Sequence, residues 1–501
     1  MADLALGVVS LPGTIDICIK WGKALIQAYK DYWEADAKVD EMIVRIEVCW
    51  TRVLNQLEVT KQLESTMTDD HKTLQQRTLC ILRGKLDVAT QNLSKCSRRP
   101  MPKMVKRLQF VRLKDTLKEA ITELESWQRL YEPSWFHLIK LAPPTVDMML
   151  NNVIKTGPED AAELSLAARK FRRAFKKPSA ESQSVFIREE ELNDYNKEAI
   201  LSCAVLMATH PGDSRRLIID RAANGAVQSK DAREFARRLR DSDPFTFGLF
   251  SCKGVVRQAK SSSIAFLFRV PEGFTAIRSV RQLLLSGEAH NSLSDRLEMA
   301  KKLVNAVYYV HLYGFVHKNI RPETILNLSE TEERLLSMVC LVGFQVIRNA
   351  DGRTYPVTDM KWETNLYQHP LRQGNNVDYY IMQHDIYSLG VCLLEIGLWK
   401  SLVAYDPDGA AQPSAALGLT KDRLLKSPSI LKGHLVTLSH SNALRAQMGT
   451  KYSEVVETCL TCLDEDNLDF GDEREFQDED GVTVGVRYIE KVLGILNSIS
   501  L

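Results

Sequence analysis

Phe315–Leu326 reads FVHKNIRPETIL, and the fold of this chain is decided there. An apolar ladder of helical spacing, Asp295 to Tyr313, leads straight into it. Around Pro322, which fixes the backbone, stand the polar residues His317, Lys318, Asn319, Arg321, Glu323 and Thr324. At the centre stands Asn319, a neutral amide that cannot accept a proton at any accessible pH, so the loop has no general base there.

The stretch resembles the catalytic loop of protein kinases, H-R-D-L-x-x-x-N, whose Asp takes the substrate proton and whose Asn holds magnesium. On that resemblance His317 matches, Lys318 replaces the Arg, Asn319 the base, Arg321 the usual Lys, and Thr324 the metal-binding Asn. Downstream, HDIYSLGVCLLEIGLW at 384–399 is similar to the buried helix that anchors the kinase C-lobe, with Asp385 and Gly390 as structural anchors. YQHP at 367–370 falls where the activation segment ends. The magnesium motif aligns as Gly343-Phe344-Gln345, and no acid occurs from Cys340 through Ala350. Magnesium is a hard ion that wants carboxylate oxygen, so the resemblance implies a degenerate metal motif.

The N-terminal side of the resemblance is degraded too. RLIIDR at 216–221 and SIAFLFRV at 263–270 read as short buried strands, but no G-x-G occurs anywhere to cover phosphates. The strand expected to bear the ATP-contacting lysine aligns as LIIDRA, with Arg221 or Ala222 at that place. Glu234 in DAREFARRL is the candidate helix glutamate; a solvated helix acid is the alternative. The expectation is a pseudokinase with no catalytic residue, no metal, and ATP binding weak or absent. An atypical serine/threonine kinase that binds ATP through other groups is the alternative reading, and a non-enzymatic scaffold is a third.

The first third of the chain carries a different pattern. Val39, Ile43, Ile46, Trp50, Val53 and Leu57 repeat at spacings of four and three, which puts one apolar stripe on one helix face. Ladders return at Leu79–Leu93 and at Leu113–Tyr131. With Asp16–Trp33 before and Pro158–Phe175 after, five helical segments are predicted, broken near Pro100, Pro102, Pro133 and Pro143-Pro144. The predicted fold class is multidomain: an all-α helical bundle at 1–180, a linker at 181–193 marked by KPSAESQ, and an α+β bilobal protein-kinase-like domain at 194–501.

Two basic clusters stand out against a formal net charge of +1. Lys95–Lys118 carries nine lysines and arginines against one acid, and RKFRRAFKK at 169–177 carries six. Either is a solvated helix face or a patch for anionic lipid, where each basic residue contributes ~1 kcal/mol; nucleic acid is not expected.

The order LPGTIDICIKW, then Tyr29–Trp33, then the helix around Trp50, resembles the HeLo and HeLo-like (prion-inhibition and propagation) domains of fungal incompatibility and programmed cell-death proteins. That resemblance implies a soluble bundle that exposes its N-terminal segment, self-associates and damages membrane. Its membrane-contact candidates here are Leu4, Leu6, Val8, Val9, Leu11, Ile15 and Ile17, with Arg98, Arg99, Lys103, Lys106, Arg107, Arg172, Arg173, Lys176 and Lys177. A bundle followed by a silent kinase is also similar in architecture to the mixed lineage kinase domain-like executioner of necroptosis. The implied function is a signal-controlled cell-death or heterokaryon-incompatibility effector, answering to an upstream sensor.

Bulk properties agree with a globular chain. At 501 residues it is too long for one core, and 45% hydrophobic with 26% charged residues is ordinary. Ten scattered cysteines, and one Cys459–Cys462 pair without a partner pair, read as reduced buried thiols rather than zinc ligands. The N-terminal run lacks a basic n-region and is broken by Pro12 and Asp16, so a cytoplasmic protein is expected, with conditional relocation to the plasma membrane. The acidic run at 463–480 is a candidate partner for RKFRRAFKK.

Overall fold

In the computed structural model, the helical stripes and the strand pattern separate into two units, Met1–Arg173 and Ala174–Leu501. The structure describes residues 10–32, 37–97, 103–176, 184–222, 226–257, 263–287, 292–331, 338–349, 361–373, 379–426, 428–470, 485 and 487–499.

The first unit is all helical. Its helices are α1 Leu11–Tyr32, α2 Ala37–Leu63, α3 Asp69–Ser97, α4 Lys103–Leu141, α5 Thr145–Thr156 and α6 Glu159–Arg173. The stripe residues Ile46, Val53, Leu57, Leu79, Leu82, Leu86, Leu117, Trp127 and Tyr131 are all buried, because one helix can remove its apolar face from water only against another. Two of the polar pairs inside are tight: the Trp127 indole donates to the Thr78 carbonyl at 2.8 Å, and the Tyr131 and Thr60 hydroxyls meet at 2.7 Å.

Three expectations for this unit are corrected. The chain does not break at Pro133, which lies inside α4. A mid-helix proline costs ~3 kcal/mol or more, and the buried Tyr131, Trp135 and Phe136 around it outweigh that cost. Helix α5 adds a segment beyond the five predicted; its signal was Val146, Leu150 and Val153 at spacings of four and three. Helix α1 starts at Leu11, with Pro12 in its first turn, where a missing N–H costs nothing. Its Leu11, Ile15, Cys18, Leu25 and Tyr29 belong to the core, so removal of residues 1–30 would take out a wall of the bundle rather than a detachable segment.

The second unit is α+β, bilobal and kinase-like. Its smaller lobe holds β1 Phe186–Ile187, β2 Asn196–Ala199, β3 Leu206–His210, β4 Asp213–Ala222, helix α7 Ser229–Arg238, the short helix α8 Pro244–Phe247, β5 Ser251–Arg257 and β6 Ile264–Arg269. They form one six-stranded sheet ordered β1-β5-β6-β4-β3-β2, antiparallel except for the β1–β5 pair. Strand β1 and a 3-10 turn at Glu189–Leu192 occupy the stretch expected to be linker. The outer face of the sheet buries Leu217, Ile219, Val256, Ala265 and Leu267 under Leu192. Period two therefore turns Ile218, Asp220 and Ala222 to the other face.

From β7 Ala276–Ser279 the chain runs through α9 Val280–Leu285 and α10 Leu293–Leu312 to β8 Phe315–Val316, then β9 Ile325–Ser329, β10 Met338–Leu341 and β11 Arg348–Asn349. Beyond the short α11 Trp362–Asn365, helix α12 Met382–Leu398 is buried along almost its whole length. It packs on α13 Thr450–Leu460 so closely that a Cβ on Gly390 would stand 2.8 Å from Cys459 Cβ. Cys459 and Cys462 are buried free thiols.

Candidate functional site

Strand β8, the loop after it and the turn after β10 meet beneath β4. Asp385, at the start of α12, organises the loop from below. It accepts from the backbone N–H of His317 at 2.7 Å and of Lys318 at 2.8 Å, from the Tyr380 hydroxyl at 2.7 Å, and pairs with His311 Nε2 at 3.0 Å. Burial works against its charge, but these partners hold the Asp385 carboxyl below the usual carboxylate range. Lys318 takes φ +68° to present that N–H, a left-handed position rare for a side-chain-bearing residue.

His317 is fully buried and neutral, its pKa pushed down to about 4 by desolvation. Its Nε2 lies 3.0 Å from the Val342 carbonyl, and its Nδ1 accepts the Asn319 backbone N–H at 3.2 Å, so the proton sits on Nε2. The ring packs on Phe344 at 4.7 Å, Phe344 on Phe235 of α7 at 4.6 Å, and Phe235 on Phe266 of β6 at 5.2 Å. A continuous aromatic column thus joins loop, turn, helix and sheet.

Where the resemblance implies catalytic groups, the side chains hold the backbone instead. Asn319 Nδ2 donates to the Gly343 carbonyl at 3.1 Å, and the Thr324 hydroxyl donates to the Asn319 carbonyl at 2.8 Å. Gly343 has φ +84°, and a Cβ there would stand 2.3 Å from Thr324 Cγ2. An aspartate does not fit at the metal position. Among the described residues no group of three His, Cys, Asp or Glu is placed to hold a metal ion.

The strand position facing this turn belongs to Asp220, a residue the alignment of LIIDRA passed over. Asp220 is fully buried, and its Oδ2 accepts from the Gly343 and Phe344 N–H groups at 2.7 Å each. Desolvation pushes its carboxyl up to about 6, opposed by those two amides and by Gln345. The signal was available: an acid between Ile218 and Ala222 on a strand whose other face is apolar. Arg221 alternates to the outer side and is exposed, which corrects its place among the cofactor candidates. Glu234 is engaged by its own helix, with Arg237 at 2.7 Å and Arg238 at 2.8 Å. Burial opposes its charge, and the two guanidiniums still hold it below its ordinary value.

The loop between β2 and β3, where a glycine-rich flap would lie, dips into the cleft. Cys203 Sγ donates to the Glu323 carbonyl at 2.9 Å, and the Ser279 hydroxyl donates to the Leu201 carbonyl at 2.8 Å. The Glu323 side chain is taken as well: fully buried Arg281 contacts it at 3.0 Å and Glu395 at 2.9 Å, and the Tyr367 hydroxyl donates to Glu395 at 2.7 Å. Among the described residues, Asp385, Asp220, Glu323 and Glu395 are thus all engaged in holding structure.

Residues expected to touch lipid are scattered. Leu4, Leu6, Val8, Val9, Arg98, Arg99 and Lys177 lie outside the described residues, as do the side chains of Lys103, Lys106 and Arg107. Leu11 and Ile15 are buried and Ile17 is half-buried, so they serve the bundle core in this structure. Arg172 is a structural cation: it contacts Asp147 at 2.6 Å and donates to the carbonyls of Ala142 at 2.9 Å and Pro143 at 3.1 Å, tying α6 to the end of α4. Charge reversal at Arg172 would break these contacts within the bundle. Arg173 and Lys176 are exposed. From the acidic run, Asp464 pairs with Lys432 and Asp469 with Lys491 at 2.6 Å; its residues 471–480 lie outside the described residues. No helix among the described residues is long and apolar enough to cross a membrane.

Comparison with known proteins gives kinase-like similarity over part of the chain. It is 30% identical over 102 residues, 19% of this chain, to the eukaryotic translation initiation factor 2-alpha kinase 1 of Mus musculus. It is 30% identical over 130 residues, 25% of this chain, to a serine/threonine-protein kinase-like protein of Arabidopsis thaliana. The chain spans 16% and 35% of the length of these relatives. No family model matches it. Fold and similarity together define a helical bundle followed by a protein-kinase-like domain.

Proposed function

We propose that the chain is a signal-controlled effector in which a membrane-targeting helical bundle is regulated by a catalytically silent kinase-like domain, in the manner of cell-death and heterokaryon-incompatibility proteins. One observation supports the silent half above all: a side chain on Gly343 would collide with Thr324, which leaves no room for a magnesium carboxylate. With Asn319 as a backbone tie, phosphoryl transfer lacks its base and its metal site. No ATP or magnesium cofactor is assigned. The bundle's partners in this reading are anionic lipid at the plasma membrane, other copies of the chain, and an upstream sensor protein; its resting place is the cytoplasm.

The test is dye release from anionic liposomes by the full chain, by residues 1–180, and by residues 10–180. Leakage by residues 1–180 that the full chain suppresses and the deletion abolishes is the expected result. Absence of both leakage and lipid binding in all three would move the reading to a scaffold. MgATP-dependent labelling of a substrate by the full chain would favour the atypical kinase.

A further inference from the structure

The turn after β10 presents two adjacent backbone N–H groups, those of Gly343 and Phe344, on a left-handed glycine. Paired amides of this kind make a small concavity suited to an oxyanion. Here the oxyanion comes from the chain itself. Asp220 reaches across from β4 with Oδ2 at 2.7 Å from both nitrogens, fully buried, with the Gln345 side chain beside the carboxylate.

A carboxylate placed so is costly to desolvate, and a strand side chain of apolar type would avoid that cost. What Asp220 adds is a connection between the sheet and the turn. Around it are Phe266, its register partner on β6, the Gln345 side chain, and the Cys203 thiol of the β2–β3 loop, which lies close enough to feel its charge; neutral His317 packs on the Phe344 ring. Asp220 sits on the face that the resemblance gives to an ATP-contacting lysine, and it carries the opposite charge, which would repel a phosphate.

We propose that Asp220 is an autoinhibitory latch: an internal anion that fills the amide pair of the Gly343–Phe344 turn and holds the cleft closed under the β2–β3 loop. The latch rests on the reading of this unit as catalytically silent, and it extends that reading by naming the contact that a regulator must break. Opening the latch frees the two amides and uncovers Cys203.

The experiment uses the full chain as wild type, Asp220→Leu, which fills the space without an acceptor, and Asp220→Asn, whose carbonyl oxygen still accepts both N–H groups. Hydrogen exchange at residues 343 and 344 is read alongside the alkylation rate of Cys203, with exposed Cys80 as the internal reference thiol. Expected in Asp220→Leu is a rise of on the order of tenfold or more in both rates, the equivalent of one lost hydrogen bond to a charged acceptor, with wild-type rates in Asp220→Asn. Wild-type protection of both amides and of Cys203 in a folded Asp220→Leu overturns the latch. Should Asp220→Leu not fold, fast exchange at 343 and 344 in the wild type overturns it equally. MgATP-dependent labelling by the wild type would sink the silent-kinase reading while leaving the exchange rates to judge the latch.

Discussion

The bundle and the kinase-like unit are both held by buried side chains, but of different kinds. In the bundle the large buried groups are Trp127, Trp135, Tyr29, Tyr131, Phe136 and Phe171, and several ion pairs lie at the surface, such as Lys61 with Asp16 at 2.6 Å. In the kinase-like unit, charges are at the centre: Asp385 beneath the loop, Arg281 between Glu323 and Glu395, and Asp220 above the turn. A non-directional apolar stripe tolerates sliding, whereas a buried charge is stable only at one place with its partners met. The second unit therefore specifies the geometry of the loop after β8 to a single arrangement.

The sharpest way to break this contrast is Arg281→Ala. It strands two carboxylates in the interior, and the loss expected is roughly 3–5 kcal/mol in urea unfolding of the second unit. A loss under about 1 kcal/mol would mean that the buried charges are ornaments on an apolar core. Asp220→Asn tests the sign of the opposite case. The Asp220 carboxyl is held up at about 6 against an ordinary 3.8, so its stabilising contribution is present below the ordinary value and is lost as pH rises through 6. The asparagine variant should gain roughly 3 kcal/mol at neutral pH and lose that pH dependence, measured by unfolding at pH 4 and pH 7.

Gly343→Asp addresses whether the metal site can be rebuilt. With φ +84° and Thr324 in the way, the variant should lose on the order of 1–3 kcal/mol and gain no magnesium binding by calorimetry. Tight magnesium binding by a stable variant would contradict the closed geometry. At the small end, Lys61→Ala in the bundle should cost about 0.2–1 kcal/mol, since its pair with Asp16 is exposed. A larger loss would place electrostatics in the bundle on the same footing as in the kinase-like unit.

Much of the fold was legible because its determinants are local. The stripe from Val39 to Leu57 announces α2, and the ladder into FVHKNIRPETIL announces α10 and the loop. The misreadings share a cause. Pro133 reads as a break under a local rule, whereas packing on both sides decides, and Arg172 reads as a surface cation because nothing nearby reveals carbonyls some thirty residues upstream. In the site, the replacement at Asn319 was visible in one residue. Its new task, the bond to Gly343, was not.

The sequence alone determined that a helical bundle precedes a kinase-like domain, and that the centre of the loop at 315–326 is Asn319, an amide that cannot accept a proton, since periodicity and residue chemistry are properties of neighbours along the chain. Only the tertiary structure decided that Asp220, 123 residues before Gly343, closes the turn, that Arg281 takes Glu323, and that α1 is a wall of the bundle. Those facts depend on which faces meet, and a face is fixed by the packing of residues far apart in sequence.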